Sequence, residues 1–302
     1  MKRIIREIKN FIIYLIIRGL LGFINALPLR WAYSLAGLLG RMAYILFPKD
    51  RMTALDNLRF AFPEISETKI KKIYEKSLEN IGISAVDVLR FRRFGRQGIL
   101  DMVEVEGLEH FDRAYEKGRG IVAITGHISN FELIAAWFGQ SGYKSSAIGR
   151  RLYDTRFNRM LVDNREKMRV VNIDSEEHIK VFLKILREGY AVGVLIDQDS
   201  TRYRGIFVEF FGKAAYTPVG PVLIARKAKA AVVPIIIVRG EPGKYKMKVY
   251  PEIEFDHSIS QDDDIHRVLQ KCTGILEKSI AENPEQWVWM HRRWKTRPED
   301  LE

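Results

Sequence analysis

The chain has 302 residues, 47% of them apolar, which is enough for one large domain or two modest ones and excludes general disorder. Its 49 lysines and arginines against 38 acidic residues leave a net charge of +11. That excess favours anionic partners such as phospholipid headgroups, phosphorylated substrates or nucleic acid. Cys272 is the single cysteine, which excludes an intramolecular disulfide and a multi-cysteine metal site and fits a protein that faces the cytoplasm.

Two apolar stretches, residues 11–27 and 31–47, open the chain, and an arginine interrupts each of them. They could form a membrane span, interfacial helices or ordinary buried helices. A span takes roughly 20 apolar residues, and Arg18 or Arg41 would be costly in hydrocarbon. We therefore expect a membrane-associated helical hairpin over residues 1–48 that enters one leaflet. Four basic residues precede the first apolar stretch: Lys2, Arg3, Arg6 and Lys9. Their positive charge favours an amino terminus that stays in the cytoplasm.

Beyond residue 50 the pattern is first helical and then alternating. Residues 50–95 read as helices, and from about residue 101 short β-branched runs alternate with amphipathic stretches. The strand-like runs are VEVEG, GIVAIT, YKSSAIG, RVVNI, AVGVLID, AAVVPIIIV and YKMKVYP, and the helical ones are 128–139, 154–167, 176–188, 217–229 and 262–282. This order predicts an α/β domain over residues 49–302, with a mixed, largely parallel sheet flanked by helices and its site at the carboxyl ends of strands.

One histidine stands at such a strand end. In GRGIVAITGHISNFELIAAWF, His127 follows a strand and a glycine and precedes a helix whose first turn holds Glu132. A carboxylate on one imidazole nitrogen would fix the tautomer and support the cation that forms when the other nitrogen takes a proton. The pair is thus a candidate hydroxyl-activating dyad. The alternative is that His127 caps the helix and Glu132 makes a surface ion pair.

The motifs GHISNFE, GRRLYDTRFNRMLVDNR, DQD, FFGKAAYTPVGP and PEQWVWMHRRWKTRP follow one another along nearly the whole chain. In this order they resemble the late acyltransferases of lipid A biosynthesis. These lauroyl and myristoyl transferases belong to the wider lysophospholipid and glycerolipid acyltransferase superfamily. The resemblance implies transfer of a fatty acyl group from a thioester carrier to a lipid hydroxyl.

The resemblance also implies roles for individual residues. His127 and Glu132 match the family's histidine and the acid that follows after four residues. Two arginines would bind phosphate or polarise the acyl carbonyl, the DQD block would shape the acceptor pocket, and a third block would line the acyl or acceptor site. Without the resemblance, the DQD block would read as a polar turn and the third block as core and turn. The two arginines are Arg150 and Arg165, the DQD block is Asp197, Gln198 and Asp199, and the third block includes Phe211, Gly212 and Thr217.

Aromatic and basic residues alternate at the carboxyl terminus. Trp287, Trp289 and Trp294 stand among Arg292, Arg293 and Arg297. Tryptophan favours the membrane interface and arginine forks onto phosphate, so we expect this cluster to meet a phosphorylated glycolipid at a membrane surface. A nucleic-acid partner is not expected, because no recognised nucleic-acid module surrounds the cluster.

The predicted reaction is direct transfer with no covalent acyl-enzyme, metal or further cofactor; the cosubstrate is acyl carrier protein or coenzyme A carrying the acyl group. The expected partners are membrane lipids, this donor and a glycolipid acceptor, at the inner membrane with the site facing the cytoplasm.

Ile128 and Ser129 depart from the commonest lipid A form, so a lysophospholipid or a phosphatidylinositol mannoside stays open as acceptor. Two other classes remain: a metal-dependent hydrolase using His127, Glu132, Asp197 and Asp199, and a non-catalytic membrane-binding protein.

Overall fold

Four helices form the amino-terminal third of the chain. The computed structural model describes residues 2–152 and 154–300, with the side chains of 2–10, 12, 13 and 16 left out, so the basic groups of Lys2, Arg3, Arg6 and Lys9 lie outside the described part. The two apolar stretches are helices joined at Pro28, as predicted. The helices are α1 Lys2–Ala26, α2 Leu29–Leu46, α3 Pro48–Ala61 and α4 Glu67–Asp101.

Helix α2 packs closely on α4. A Cβ added at Gly40 would lie 2.9 Å from the backbone of Leu78, and one at Gly82 would lie 3.0 Å from the carbonyl of Ala36. Glycine at both positions lets the two backbones touch, so α2 is held against the helix that leads into the sheet. Within the described residues, the helices are either too short or too polar to cross a bilayer.

A seven-stranded sheet follows. A two-stranded hairpin, which comes between two of its strands along the chain, forms a second sheet of its own. The strand order is β1-β9-β8-β2-β5-β3-β4, and all neighbours are parallel except β8 and β9. This confirms the predicted mixed, largely parallel sheet. The strands are β1 Val103–Glu106, β2 Ile121–Thr125, β3 Ser145–Gly149, β4 Val170–Asp174, β5 Ala191–Leu195, β8 Ala231–Arg239 and β9 Tyr245–Val249, and the hairpin is β6 Gly205–Phe210 with β7 Lys213–Pro218.

Helices cover both faces of the sheet. Alternate residues of β2 divide between two cores: Ile121 and Ala123 pack with residues of α4, α5 and α6, whereas Val122 and Ile124 pack with residues of α8, α9 and α10. This alternation is what a strand buried on both faces requires. These helices are α5 Leu108–Glu116, α6 Phe131–Ser141, α7 Thr155–Lys167, α8 Ile179–Arg187, α9 Gly220–Ala228 and α10 Gln261–Glu282. Helix α5 and the β6–β7 hairpin were not among the predicted elements.

The carboxyl-terminal segment turns inward, which corrects the expectation that its tryptophans meet a membrane. Trp287 and Trp289 are fully buried in a third core that also holds residues of α3, α4 and the hairpin. Arg293 is buried as well, where it donates to the Tyr216 carbonyl. Large aromatic surfaces are stabilised most by burial, and here the ends of several elements offer a partner for them. Arg292 and Arg297 remain exposed.

Candidate active site

Two adjacent parallel strands position the central pair of the site. Strands β2 and β5 are paired in a register that sets Thr125 opposite Leu195. His127 and Asp197 each come two residues later, so they leave the same edge of the sheet side by side. Gly126 makes this approach possible, because a Cβ there would lie 2.9 Å from Asp197 Oδ2. The site therefore lies at the carboxyl ends of strands, as the α/β pattern predicts.

The imidazole of His127 is held by Asp197 through two contacts. His127 Nδ1 lies 2.7 Å from Asp197 Oδ1, and the backbone N–H of His127 donates to Oδ2 at 2.6 Å. The indole N–H of Trp287 also donates to Oδ2, at 2.8 Å. A carboxylate accepts only, so Nδ1 carries a proton, and in the neutral ring Nε2 keeps its lone pair. His127 is thereby set up as a proton acceptor at Nε2.

Asp197 stays ionised although it is buried. Burial alone would raise the pKa of its carboxyl, but the His127 imidazole, the Trp287 indole N–H and the His127 backbone N–H together hold this pKa well below its usual range. The Asp197 side chain is fully shielded while the His127 side chain keeps 21% of its surface exposed. A fixed negative charge thus lies behind an imidazole whose other side is open.

A second histidine, His291, completes the group. Gln198 Nε2 lies 3.1 Å from His127 Nε2 and 3.0 Å from His291 Nε2, and the two rings are 5.0 Å apart. Burial, and then the neighbouring His127, lowers the pKa of His291 to about 4. Neither His291 nor Trp287 was predicted as part of this site. The HRRW motif was the available signal, but it was interpreted as a surface cluster.

Glu132 makes no hydrogen bond or ion pair with His127 among the described residues, so the predicted His127–Glu132 pairing is wrong. Glu132 lies in the first turn of α6 and accepts from Arg165: Nε donates to Oε2 at 3.0 Å, and Nη2 donates to Oε1. His127 precedes the helix, and its ring hydrogen-bonds to Asp197, which follows β5. The helix start therefore sends the two side chains in different directions. A catalytic role for Glu132 stays a prediction.

Arg165 and Arg150 differ in their surroundings. Arg165 on α7 is buried, and its third nitrogen, Nη1, donates to Asn172 Oδ1 at 2.6 Å. Glu132 and Asn172 thus engage three of its five N–H groups, and its predicted role at a phosphate or the acyl carbonyl stays a prediction. Arg150 follows β3 and is exposed, and its predicted role in phosphate binding stays a prediction.

The remaining predicted residues support the site from the side. Asp199 accepts from the backbone N–H and the hydroxyl of Thr296, at 2.7 and 2.8 Å, and so anchors the carboxyl-terminal segment. Thr217 is buried and accepts from Arg293 Nη2 at 2.6 Å. Phe211 and Gly212 form the turn of the β6–β7 hairpin, with φ of 53° and 70°. These contacts are structural, and contact with substrate stays a prediction for all four.

An apolar groove lies among the amino-terminal helices. This groove of about 470 Å³ runs between α1, α2 and α4, and the residues that line it include Leu20, Ile24, Leu39, Leu78, Leu89 and Met290. Of these lining residues, Met290 directly precedes His291 in the chain. A much smaller cavity, of about 30 Å³, lies beneath α6, where Phe131, Glu132 and Arg165 are among its lining residues.

Comparison with known proteins places this arrangement in a family. The sequence model described as "Bacterial lipid A biosynthesis acyltransferase" matches residues 2–296. The lipid A biosynthesis lauroyltransferase of Escherichia coli K12 is 29% identical, over 94% of this chain and 91% of that protein. The palmitoleoyltransferase of the same pathway and strain is 26% identical over 86% of this chain and 83% of that protein. A phosphatidylinositol mannoside acyltransferase of Mycobacterium tuberculosis CDC 1551 / Oshkosh is 26% identical over 72% of this chain and 69% of that protein.

The match extends through the helices, the sheet and the carboxyl-terminal segment, and it confirms the predicted family. With His127 and Asp197 together at the strand ends and the family model matching residues 2–296, the chain belongs to the bacterial lipid A biosynthesis acyltransferases.

Proposed function

We propose that this protein transfers a fatty acyl group from the thioester of acyl carrier protein or coenzyme A to a hydroxyl of a lipid A precursor or a related glycolipid. The observation that carries the proposal is the His127–Asp197 pair, in which a buried carboxylate fixes Nδ1–H and leaves Nε2 to accept a proton. The names of the relatives support the lipid acceptor.

In the proposed reaction His127 acts first as base and then as acid. Nε2 takes the proton of the acceptor hydroxyl as its oxygen forms a bond to the thioester carbonyl carbon. The imidazolium that results is stabilised by the ionised Asp197 on Nδ1. When the tetrahedral intermediate collapses, the C–S bond breaks and His127 returns the proton to the leaving sulfur. The products are an ester and a free thiol, and no acyl-enzyme forms.

The apolar groove between α1, α2 and α4 would hold a hydrocarbon chain of the acceptor lipid. It is lined mostly by aliphatic side chains, and one of them, Met290, directly precedes His291 in the chain. Two of the helices that line it, α1 and α2, also carry exposed apolar residues. A lipid could thus keep its chains at the groove while its sugar hydroxyl reaches His127.

The same helices would place the protein on the cytoplasmic face of the inner membrane. Apolar side chains that are each more than half exposed lie on or between α1, α2 and α3: Phe23, Trp31, Leu38, Ile45, Leu46, Phe47 and Met52. A patch of this kind is typical of membrane or protein contacts. We propose a membrane contact, because the acceptor is itself a membrane lipid.

A transfer assay with two panels tests the function. Purified protein is incubated with lauroyl, myristoyl and palmitoleoyl thioesters of acyl carrier protein and of coenzyme A. The acceptors are a lipid A precursor, a phosphatidylinositol mannoside and a lysophospholipid, and mass spectrometry identifies the products. We expect acylated glycolipid with wild type, and a loss of roughly 10³-fold or more with His127→Ala because the base is gone. His266→Ala, at an exposed position on α10, is the matched control.

Each result decides between the proposal and its rivals. A phosphatidylinositol mannoside product in place of lipid A would move the acceptor to the mycobacterial type. Loss of activity with a chelator would indicate a metal-dependent hydrolase, since direct acyl transfer needs no metal. Vesicle binding without any transfer would indicate a non-catalytic membrane protein.

A further inference from the structure

Gln198 occupies the place that an acceptor hydroxyl must take. Its Nε2 lies 3.1 Å from His127 Nε2, the atom that has to receive the hydroxyl proton. Because His127 Nδ1 donates to Asp197, Nε2 accepts, and the Gln198 amide is the donor. A hydroxyl can reach the base only if it displaces this amide. In this structure the Gln198 amide therefore donates to the nitrogen that must accept the hydroxyl proton, and the acceptor substrate would have to displace it.

The second amide proton of Gln198 points at His291. Gln198 Nε2 lies 3.0 Å from His291 Nε2, which accepts because the amide nitrogen can only donate. The low pKa of His291, about 4, keeps the ring neutral at pH 7, so one of its nitrogens is free to accept. The segment that carries the ring is fixed, since the Asn57 side chain on α3 donates to the carbonyls of Trp289 and His291 at 2.8 and 2.6 Å.

His291 is poorly suited to be a second base. Among the described residues, no carboxylate hydrogen-bonds its ring, whereas His127 has Asp197. A proton taken up by His291 would lie in a largely buried site beside a second imidazole. Its geometry suits a different task, which is to accept one amide proton and so set the direction of the other.

We propose that Gln198 donates a hydrogen bond to the oxyanion of the tetrahedral intermediate and that His291 is the positioning residue that holds the amide for this. The inference rests on the proposed function. When the hydroxyl arrives at His127 Nε2, Gln198 keeps its bond to His291, and the released N–H lies next to the reacting carbon. A donor placed there stabilises the negative charge as the C–O bond forms.

Two pairs of substitutions test the two roles in the transfer assay with lauroyl acyl carrier protein and a lipid A precursor. Gln198→Leu removes the donor at similar size, and we expect kcat to fall by roughly 10²-fold to 10³-fold, with KM for the acceptor changed only a few-fold. His291→Phe keeps a ring but no acceptor, and kcat should fall similarly. His291→Asn keeps an acceptor and should retain activity within about tenfold of wild type. His266→Asn is the control.

The order of the two His291 variants separates positioning from packing. If His291 only fills space, the Phe variant is the active one and the Asn variant is the damaged one, and this overturns the inference. The double variant Gln198→Leu/His291→Phe should be no slower than Gln198→Leu alone, because the two residues act as a unit. Losses that multiply would also overturn it.

A spectroscopic measurement covers the case in which a variant fails to fold. In full-length protein with ¹⁵N-labelled histidine, we expect His291 Nε2 to resonate as an unprotonated, hydrogen-bonded nitrogen at pH 7 and to shift in Gln198→Leu. A protonated Nε2 in wild type contradicts the inference. Wild-type protein that transfers no acyl group to any acceptor contradicts the proposed function itself, whereas wild-type transfer with unchanged Gln198→Leu kinetics contradicts this inference alone.

Discussion

Asp197 is the residue on which the chemistry of His127 depends most directly. Its carboxylate accepts from the imidazole, from the backbone N–H of the same histidine and from Trp287. Three donors on one buried carboxylate fix its position and its charge. The pair therefore supplies both the tautomer and the counter-charge that a general base needs.

Replacing Asp197 with Asn should separate geometry from charge. The amide keeps the size of the side chain but no longer stabilises the imidazolium and can enforce the wrong tautomer. We expect kcat to fall by roughly 10³-fold to 10⁴-fold. Asp262→Asn, at an exposed position on α10, should leave kcat unchanged. Initial rates at saturating acceptor check this, and near wild-type activity in Asp197→Asn would show that another group orients His127.

His291 should leave a signature in the pH dependence of stability. Its folded pKa is lowered to about 4, against about 6.5 in an unfolded chain. Between these values the unfolded chain binds the proton more readily, so stability is full above pH 6.5 and falls as pH drops toward 4. His291→Asn should weaken this fall. Urea unfolding of both proteins at pH 7.0 and 4.5 measures it, and an equal fall in both would contradict the prediction.

At the scale of elements, Arg165 and Glu132 join α7 to α6. Both side chains are largely buried, and the guanidinium meets the carboxylate in a forked ion pair. Such a pair fixes the helix that follows His127 against its neighbour. Glu132 thus fixes α6 against α7, and α6 directly follows the loop that carries His127.

Breaking this ion pair should act on stability first. Arg165→Met leaves Glu132 buried without its partner, and we expect a loss of about 3–5 kcal/mol in the free energy of unfolding. Adding Glu132→Leu should restore part of the loss, because the unpaired charge is removed. Denaturant unfolding compares the single and double variants. A Glu132→Gln variant with normal stability but a kcat as low as that of His127→Ala would instead support a direct role at the imidazole.

The exposed apolar residues where α2 ends and α3 begins should govern membrane contact. In the triple variant Ile45→Ser/Leu46→Ser/Phe47→Ser we expect vesicle binding to weaken by at least about tenfold, since each side chain contributes roughly 1.5–3 kcal/mol when fully buried. The matched control, Val171→Ser/Ile179→Ser/Ile259→Ser, changes exposed apolar residues elsewhere on the surface. Co-sedimentation with vesicles measures both, and equal weakening would place the contact on another face.

At the scale of the whole molecule, charge and sheet topology matter most. The net charge of +11 should add a long-range attraction to anionic lipid. We expect stronger binding to vesicles with phosphatidylglycerol than to pure phosphatidylcholine. The difference should shrink from 0.1 to 1 M salt, as the screening length falls from about 10 to about 3 Å. Binding that ignores both lipid charge and salt would contradict this.

Much of the molecule could be predicted locally. The seven strands of the main sheet and the helices between them, apart from α5, follow from β-branched runs and helical periodicity. His127 is identifiable because it follows a buried strand and a glycine. The β6–β7 hairpin was missed because its turn, Phe211–Gly212, combines a glycine with a bulky residue at positive φ, which is rare. The burial of Trp287 and Trp289 was missed because an aromatic and basic composition also fits a membrane surface.

The sequence by itself determined most of the elements, the α/β class, the family and the position of the base at a strand end, since these follow from local periodicity and from motifs in order. Only the tertiary structure decided which carboxylate serves His127. Glu132 is five residues away along the chain but on a helix that directs it to Arg165, whereas Asp197 is 70 residues away and adjacent in space. The reason is that a parallel sheet sets β2 beside β5, and hydrogen bonds between strands carry no trace in the spacing of residues along the chain.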